Sequence, residues 1–221
     1  MANILELKRL PSPAPKPQSL AWDGATLWMG SRETKRIYAI NPAQWSVGWE
    51  CAAPDVPWGL AAVQGELRVV CGEGQDDIRF IRRCLPGHGF DGRFRVPCPD
   101  GKGSHLGWDG RTLWLSQWYP KKLIALGTEG QVERVIQIPH EIVGQVIVGG
   151  LFYLVTTDNE ESDDYFLTRV DPRPALPRVD VLIRLGFSAR GLTFDGENFW
   201  SNHREANQIV SFARPDSQPV A

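Results

Sequence analysis

The chain has 221 residues, 42% of them hydrophobic and 23% charged, with a formal net charge of −2 at pH 7. That length can bury a sizeable core as one all-β domain, and the near-neutral balance, with no run of lysine and arginine, argues against nucleic acid as a partner. No apolar run approaches the ~18 residues of a membrane span, and Glu6, Lys8 and Arg9 fall where a signal peptide has its apolar core, so a soluble, cytoplasmic protein with no membrane partner is expected.

Residues 4–10 read as a strand that stops at Pro11, and the four prolines between Pro11 and Pro17 form a stiff linker. The next stretch, Trp22-Asp23-Gly24-Ala25-Thr26-Leu27-Trp28, comes back twice. It returns as Trp108-Asp109-Gly110-Arg111-Thr112-Leu113-Trp114 and as Phe194-Asp195-Gly196-Glu197-Asn198-Phe199-Trp200, each time after 86 residues. Asp-Gly between two apolar runs is a strong hairpin signal, because the turn needs positive φ.

Midway between these copies, Val63-Gln64-Gly65-Glu66-Leu67 and Val148-Gly149-Gly150-Leu151-Phe152 have the same shape with a hairpin one residue shorter. The turn glycines Gly24, Gly65, Gly110, Gly150 and Gly196 then step by 41, 45, 40 and 46 residues, which gives five units. A period near ~40–45 is that of four-stranded propeller blades. The sequence therefore predicts a single all-β domain over 1–221, a five-bladed β-propeller of antiparallel blades at about 19–53, 59–98, 105–138, 145–185 and 191–212. The fifth unit lacks its fourth strand, and the strand at 4–10 fits that vacancy, closing the ring and removing unpaired edges. An open array of hairpins or a β-sandwich is the competing architecture.

Cys51, Cys71, Cys84 and Cys98 show neither a C-x-x-C pair nor zinc-finger spacing and read as small core residues. Cys84 and Cys98 flank a turn expected around Asp91-Gly92, where they can face each other across two strands.

In a propeller, the loops leading into the inner strands and those joining the second and third strands share one face, and ligands favour such loops on a rigid scaffold. The leading residues are Gln18-Ser19, Trp58-Gly59, Ser104-His105, Gly144-Gln145 and Arg190-Gly191, and Trp118, Tyr119, Asp158 and His203 stand in the second loop set. Gln18, Trp58, Ser104, Trp118, Gln145, Arg190 and His203 are thus the candidate ligand-binding residues and His105 the candidate catalytic one. Amides, imidazoles, an arginine and aromatics suit a small polar or anionic molecule in the central channel. A cation such as Arg190 aimed into a channel needs water or an anion beside it. No carboxylate stands at these leading positions, and the acidic loop 158–164 lacks the glycine and ligand spacing of a calcium loop, so neither metal nor cofactor is expected.

The order of these motifs resembles the five-bladed glutaminyl-peptide cyclotransferases of the plant and bacterial type, whose inner strands begin with segments like T-Q-G-L, G-W-G-L and N-E-L-E. Pro17-Gln18-Ser19-Leu20 is similar to the first, Pro57-Trp58-Gly59-Leu60 to the second, and Ser104-His105-Leu106-Gly107 occupies the third place. Trp118 sits where that family has a pocket tryptophan. The resemblance implies a propeller fold and cyclisation of amino-terminal glutamine. At the third motif Ser104 replaces Asn, while His105 and Gly107 replace two Glu, so His105 would have to carry the proton transfers alone. The two functional readings are a pocket-bearing, cyclotransferase-like enzyme or binder, and a non-catalytic scaffold that holds a protein or peptide on the loop face.

Overall fold

The computed structural model describes residues 4–159, 161 and 164–215. Its twenty strands are β1 (Glu6–Pro11), β2 (Pro17–Trp22), β3 (Leu27–Ser31), β4 (Arg36–Asn41), β5 (Ser46–Ala52), β6 (Val56–Val63), β7 (Glu66–Glu73), β8 (Ile78–Leu85), β9 (Gly89–Pro97) and β10 (Leu106–Trp108), followed by β11 (Leu113–Gln117), β12 (Lys122–Leu126), β13 (Val132–Gln137), β14 (Glu141–Val148), β15 (Leu151–Thr157), β16 (Phe166–Asp171), β17 (Arg178–Arg184), β18 (Ala189–Phe194), β19 (Asn198–His203) and β20 (Gln208–Ala213). They form five four-stranded sheets, four of them sequential and the fifth ordered β1-β20-β19-β18. The inner strands β2, β6, β10, β14 and β18 neighbour one another in a closed circle. This is a five-bladed β-propeller whose last blade is completed by the amino-terminal strand. Among the described residues no helix is long and apolar enough to cross a membrane.

Alternation along each middle strand sends apolar side chains to both faces of its blade, so each blade needs a neighbour on either side. Five clusters of buried residues fill the five gaps. Trp28 and Ile37 of blade one meet Leu60 and Val69 of blade two, and Val70 and Ile81 meet Leu106 and Leu115 of blade three. Trp114 and Leu123 pack on Phe152 and Leu154 of blade four, and Tyr153 and Leu167 on Leu192 and Phe199 of blade five. Trp200 and Ile209 of blade five close the circle on Leu20, Leu27 and Met29 of blade one. Each large apolar side chain buried in this way contributes roughly 1.5–3 kcal/mol.

The repeated Asp-Gly stretch is a hairpin tied by one carboxylate. Asp23 Oδ1 accepts the backbone N–H groups of Ala25 at 2.9 Å and Thr26 at 2.7 Å, while Oδ2 accepts the indole N–H of Trp28 at 2.7 Å. Asp109 does the same for Arg111, Thr112 and Trp114, and Asp195 for Glu197, Asn198 and Trp200. One side chain thus fixes the turn and seats a tryptophan between blades. Burial pushes the Asp109 carboxyl up, but the N–H groups of Thr112, Trp114 and Arg111 outweigh it and hold the group below the usual carboxylate range. The glycines that follow have φ of 105° (Gly24), 96° (Gly110) and 105° (Gly196).

Two local expectations are corrected. The hairpin of blade two does not turn at Asp91-Gly92: it turns earlier, with Gly87 and Gly89 at positive φ of 78° and 90°. Residues 91–94 instead bulge from β9, because Arg82 pairs with Arg95 but Cys84 pairs with Phe90. Asp91 is held there by an ion pair with Arg83. Cys84 consequently does not face Cys98, which lies between blades two and three; its sulfur stands 3.8 Å from Cys51 of blade one. All four cysteines are free. The reading of 158–164 as a solvated acidic loop falls partly on residues 160, 162 and 163, outside the described residues, as does the tail at 216–221.

Two stability predictions follow from this closure and these turns. Deleting residues 1–10 removes the partner of β20 and is expected to lower Tm by more than about 5 °C, where ~1 kcal/mol shifts Tm by roughly 2–4 °C for a chain of this size; an unchanged melting curve would contradict the closure. Gly24→Val, Gly110→Val and Gly196→Val should each cost on the order of 1–3 kcal/mol. A Cβ at these positions meets nothing within 4 Å, so the loss comes from the left-handed backbone alone, and denaturant titration of each variant measures it.

Candidate functional site

Blade three departs from the others at its inner strand, which is only three residues long. The segment 99–103 ahead of it forms a short 3-10 turn, Pro99–Gly101, and an irregular stretch on the loop face, while Ser104 and His105 still bond the Ser116 backbone. Between it and the loops of blades two and three lies a cavity of about 550 Å³, walled by Trp58, Asp77, Arg79, Lys102, Ser104, Trp118 and Tyr119. Of the residues singled out in the sequence, the structure brings Trp58, Ser104 and Trp118 together here.

Trp58 owes its position to a bulge. The register of β6 shifts between Pro57 and Gly59, and a bulged residue is re-aimed out of the regular pleat. Its indole N–H donates to Asp77 Oδ1 at 3.1 Å, and the guanidinium groups of Arg79 and Arg32 lie 4.0 and 5.0 Å from its ring centroid. Arg79 also pairs with Asp77 and donates to the carbonyl of Gly103 at 3.1 Å. Burial lowers the Arg79 pKa against the pull of Asp77, though the group stays charged.

The opposite wall is equally fixed. The Trp118 indole N–H donates to Glu141 Oε2 at 2.8 Å, its backbone N–H donates to Ser104 Oγ at 3.2 Å, and Tyr119 stacks on it with centroids 5.4 Å apart. Tyr119 is 71% exposed, so its outer face is open to a ligand. Asp76, Asp77 and Asp100 line the cavity and Glu141 holds its Trp118 wall; none of these carboxylates is among the candidates read from the sequence. β14 begins at Glu141, two residues after the blade-closing Pro139, rather than near Gly144. That proline was the available signal.

The remaining candidates lie elsewhere. Gln18, His105, Gln145 and Arg190 are buried around the axis rather than open at a channel mouth. Inner-strand backbones approach so closely there that a Cβ on Gly59 would stand 2.4 Å from the Ser104 carbonyl oxygen, and one on Gly144 2.7 Å from Gly191. Arg190, 2% exposed, holds its guanidinium 5.0 Å from the rings of both Trp118 and Tyr165. Gln18 accepts a hydrogen bond from Arg204 at 3.0 Å. Gln145 occupies the inner-strand position that Leu20, Leu60, Leu106 and Leu192 fill in the other blades, and its Nε2 donates to the carbonyls of Trp114 at 2.8 Å and His105 at 3.3 Å. His203 lies at the rim of blade five, with Nδ1 3.0 Å from Arg9 and its ring 5.5 Å from Phe187.

His105 is neutral at physiological pH. Burial presses its pKa down to about 3, with the charges of Arg190 and Arg79 adding to the effect. A second cavity, of about 390 Å³, opens at the turn end of the axis, lined by Leu20, Leu60, Leu106, Leu192 and the candidate Gln145 and by no charged side chain.

The sequence matches no protein-family model and no curated protein. Among solved structures, the glutaminyl cyclase of Myxococcus xanthus superimposes with a TM-score of 0.70 at 13% identity, covering 95% of this chain and 97% of that one. Virginiamycin B lyase from Staphylococcus aureus, in a catalytically inactive form with quinupristin, gives a TM-score of 0.53 at 15% identity over 93% of this chain and 83% of that one. Hydrazine synthase of Kuenenia stuttgartiensis gives 0.53 at 15% identity, with 96% of this chain spanning 60% of that one. At these identities the likeness establishes the propeller fold, and the fold alone.

Proposed function

We propose that this propeller binds a small polar or anionic molecule in the loop-face cavity between blades two and three, without acid–base turnover by His105. The observation that carries this reading is the pair of aromatic walls, Trp58 on one side and Trp118 with Tyr119 on the other, each locked by a carboxylate that accepts its indole N–H. Walls held in this way lose little freedom on binding, which favours affinity. A flat ligand fits between them, with its polar end toward Ser104 or the exposed ammonium of Lys102. The same opening suits the end of a peptide, and the exposed ring of Tyr119 makes a protein or peptide partner on the loop face the second reading. Free thiols at all four cysteines accord with a cytoplasmic setting.

The case against turnover is chemical. A general base works best with a pKa near the operating pH, whereas His105 sits near 3 and does not line the cavity. Of the carboxylates that line the cavity, Asp76, Asp77 and Asp100, Asp77 is engaged by Arg79 and Trp58; Glu141, bonded to Trp118, does not line it. Cyclisation of amino-terminal glutamine peptides is therefore expected to be weak or absent. Efficient ammonia release that His105→Ala abolishes would overturn this view.

Binding can be read from thermal shift and ligand-observed NMR with a panel of small aromatic carboxylates, amides and glutamine-terminated peptides. Tyr119→Ala and Lys102→Ala should weaken the best ligand about tenfold, the equivalent of ~1.4 kcal/mol, at unchanged Tm, while His203→Ala should leave it untouched. A ligand held equally by all three variants would refute the site.

The buried histidine also predicts a pH profile. Its folded pKa, about 3, lies below the ordinary imidazole value of 6.5, so between these values the unfolded chain takes up a proton that the fold refuses. The stability this contributes is fully present above pH 6.5 and is lost as pH falls toward 3. Unfolding free energy should decline between pH 6.5 and 5, above the range in which carboxylates titrate, and the decline should be shallower in His105→Gln. An identical slope in the variant would contradict the assignment.

A further inference from the structure

Outside the candidate site, the cluster between blades one and two holds a feature its packing role does not require. Cys51 on β5, Cys71 on β7 and Cys84 on β8 all belong to this cluster, and the sulfurs of Cys51 and Cys84 stand 3.8 Å apart. Cys51 lies on the outermost strand of blade one and is half-buried, whereas Cys71 and Cys84 are fully buried. One thiol of the pair can therefore be reached from solvent and the other cannot. We propose that Cys51 and Cys84 are an oxidation site, at which a hydroperoxide converts the two thiols into a disulfide joining blade one to blade two.

The chemistry needs one two-electron oxidant. Hydrogen peroxide transfers an oxygen to the Cys51 thiolate, the O–O bond breaks, and hydroxide leaves with formation of the sulfenic acid. The Cys84 sulfur then attacks the Cys51 sulfur, the S–O bond breaks, and the hydroxyl departs as water with the Cys84 proton. The environment distinguishes the two roles. The hydrogen bond with Cys84, helped by the charge of Arg36, lowers the Cys51 pKa, while the Cys84 thiol is raised by its contact with Cys51 and by burial. Cys71 and Cys98 are pushed up to about 12 by burial and remain inert thiols.

Geometry permits the bond. The sulfurs must close from 3.8 Å to about 2.05 Å. β5 can supply that movement, since it has a neighbour on one side only, β4. The cross-link would fasten covalently an interface between two blades that are otherwise joined by packing, a Ser19–Pro57 hydrogen bond and a short connection, residues 53–55.

The four cysteines fall on four different tryptic peptides, so the test is direct. The full-length protein is treated with hydrogen peroxide, alkylated under denaturing conditions and mapped without reduction. The expected result is one joined pair of peptides, carrying Cys51 and Cys84, with Cys71 and Cys98 still alkylated. In Cys84→Ala, Cys51 should instead accumulate as a sulfenic acid that dimedone traps. Oxidised wild type should melt at a higher temperature than its reduced form, and dithiothreitol should reverse the gain. Over-oxidation of Cys51 with Cys84 left as free thiol, a Cys51–Cys51 dimer between chains, a different pairing, or no reaction would each overturn the proposal.

Discussion

The pairing of β1 with β20 is the contact on which the ring depends. It joins residues about two hundred positions apart, from Glu6 opposite Phe212 to Pro11 opposite Gln208. Leu5 and Leu7 are 55% and 47% exposed, while Ile4 and Leu10 pack on the clusters at either side of blade five, so the backbone ladder is joined by burial at the two ends of the segment. In a linear repeat array each unit is stabilised by its neighbours and the ends need caps. Here the end is removed. Trp45 stacks on Trp200 at 6.1 Å and donates to the Pro11 carbonyl at 2.8 Å, so blade one, blade five and the linker between them lock at a single point.

Closure also decides where chemistry can occur. Five inner strands drawn to one axis leave glycine-width gaps between backbones, and the side chains pointing inward on the loop side become packing. Room for a ligand appears off the axis, beside blade three. Residues 100–104, ahead of its short inner strand, form one wall of the loop-face cavity. Fixed arginine–tryptophan and carboxylate–indole contacts then hold the remaining walls.

The fold was legible because its determinant is local and repeated. Asp23, Asp109 and Asp195 each satisfy two turn amides and one indole, a geometry that needs those residue types at that spacing, and five turn glycines count the blades directly. The site was less legible. Trp58, Ser104 and Trp118 were placed on the correct face, but which loop-face residues are exposed depends on how closely neighbouring backbones pack. Sequence spacing does not carry that information: it set Arg190 and His105 at an open mouth, where the structure buries them. Gln145 reads as a residue leading into its inner strand, whereas the register puts it within that strand, at the position that leucine fills in four blades. Asp91-Gly92 looked like a turn because a bulge with an ion-paired aspartate has the same composition. Glu141 was overlooked because β14 runs farther toward the loop face than its apolar pattern indicates.

The central claim is that the binding site lies off the axis, between blades two and three. Crystals of the protein soaked with small planar carboxylates and amides test it most directly. The account predicts difference density between Trp58 and Trp118, with a polar group within hydrogen-bond reach of Ser104 or Lys102. Density only in the cavity at the turn end of the axis, or ligands that bind in solution yet leave the loop-face cavity empty, would contradict it.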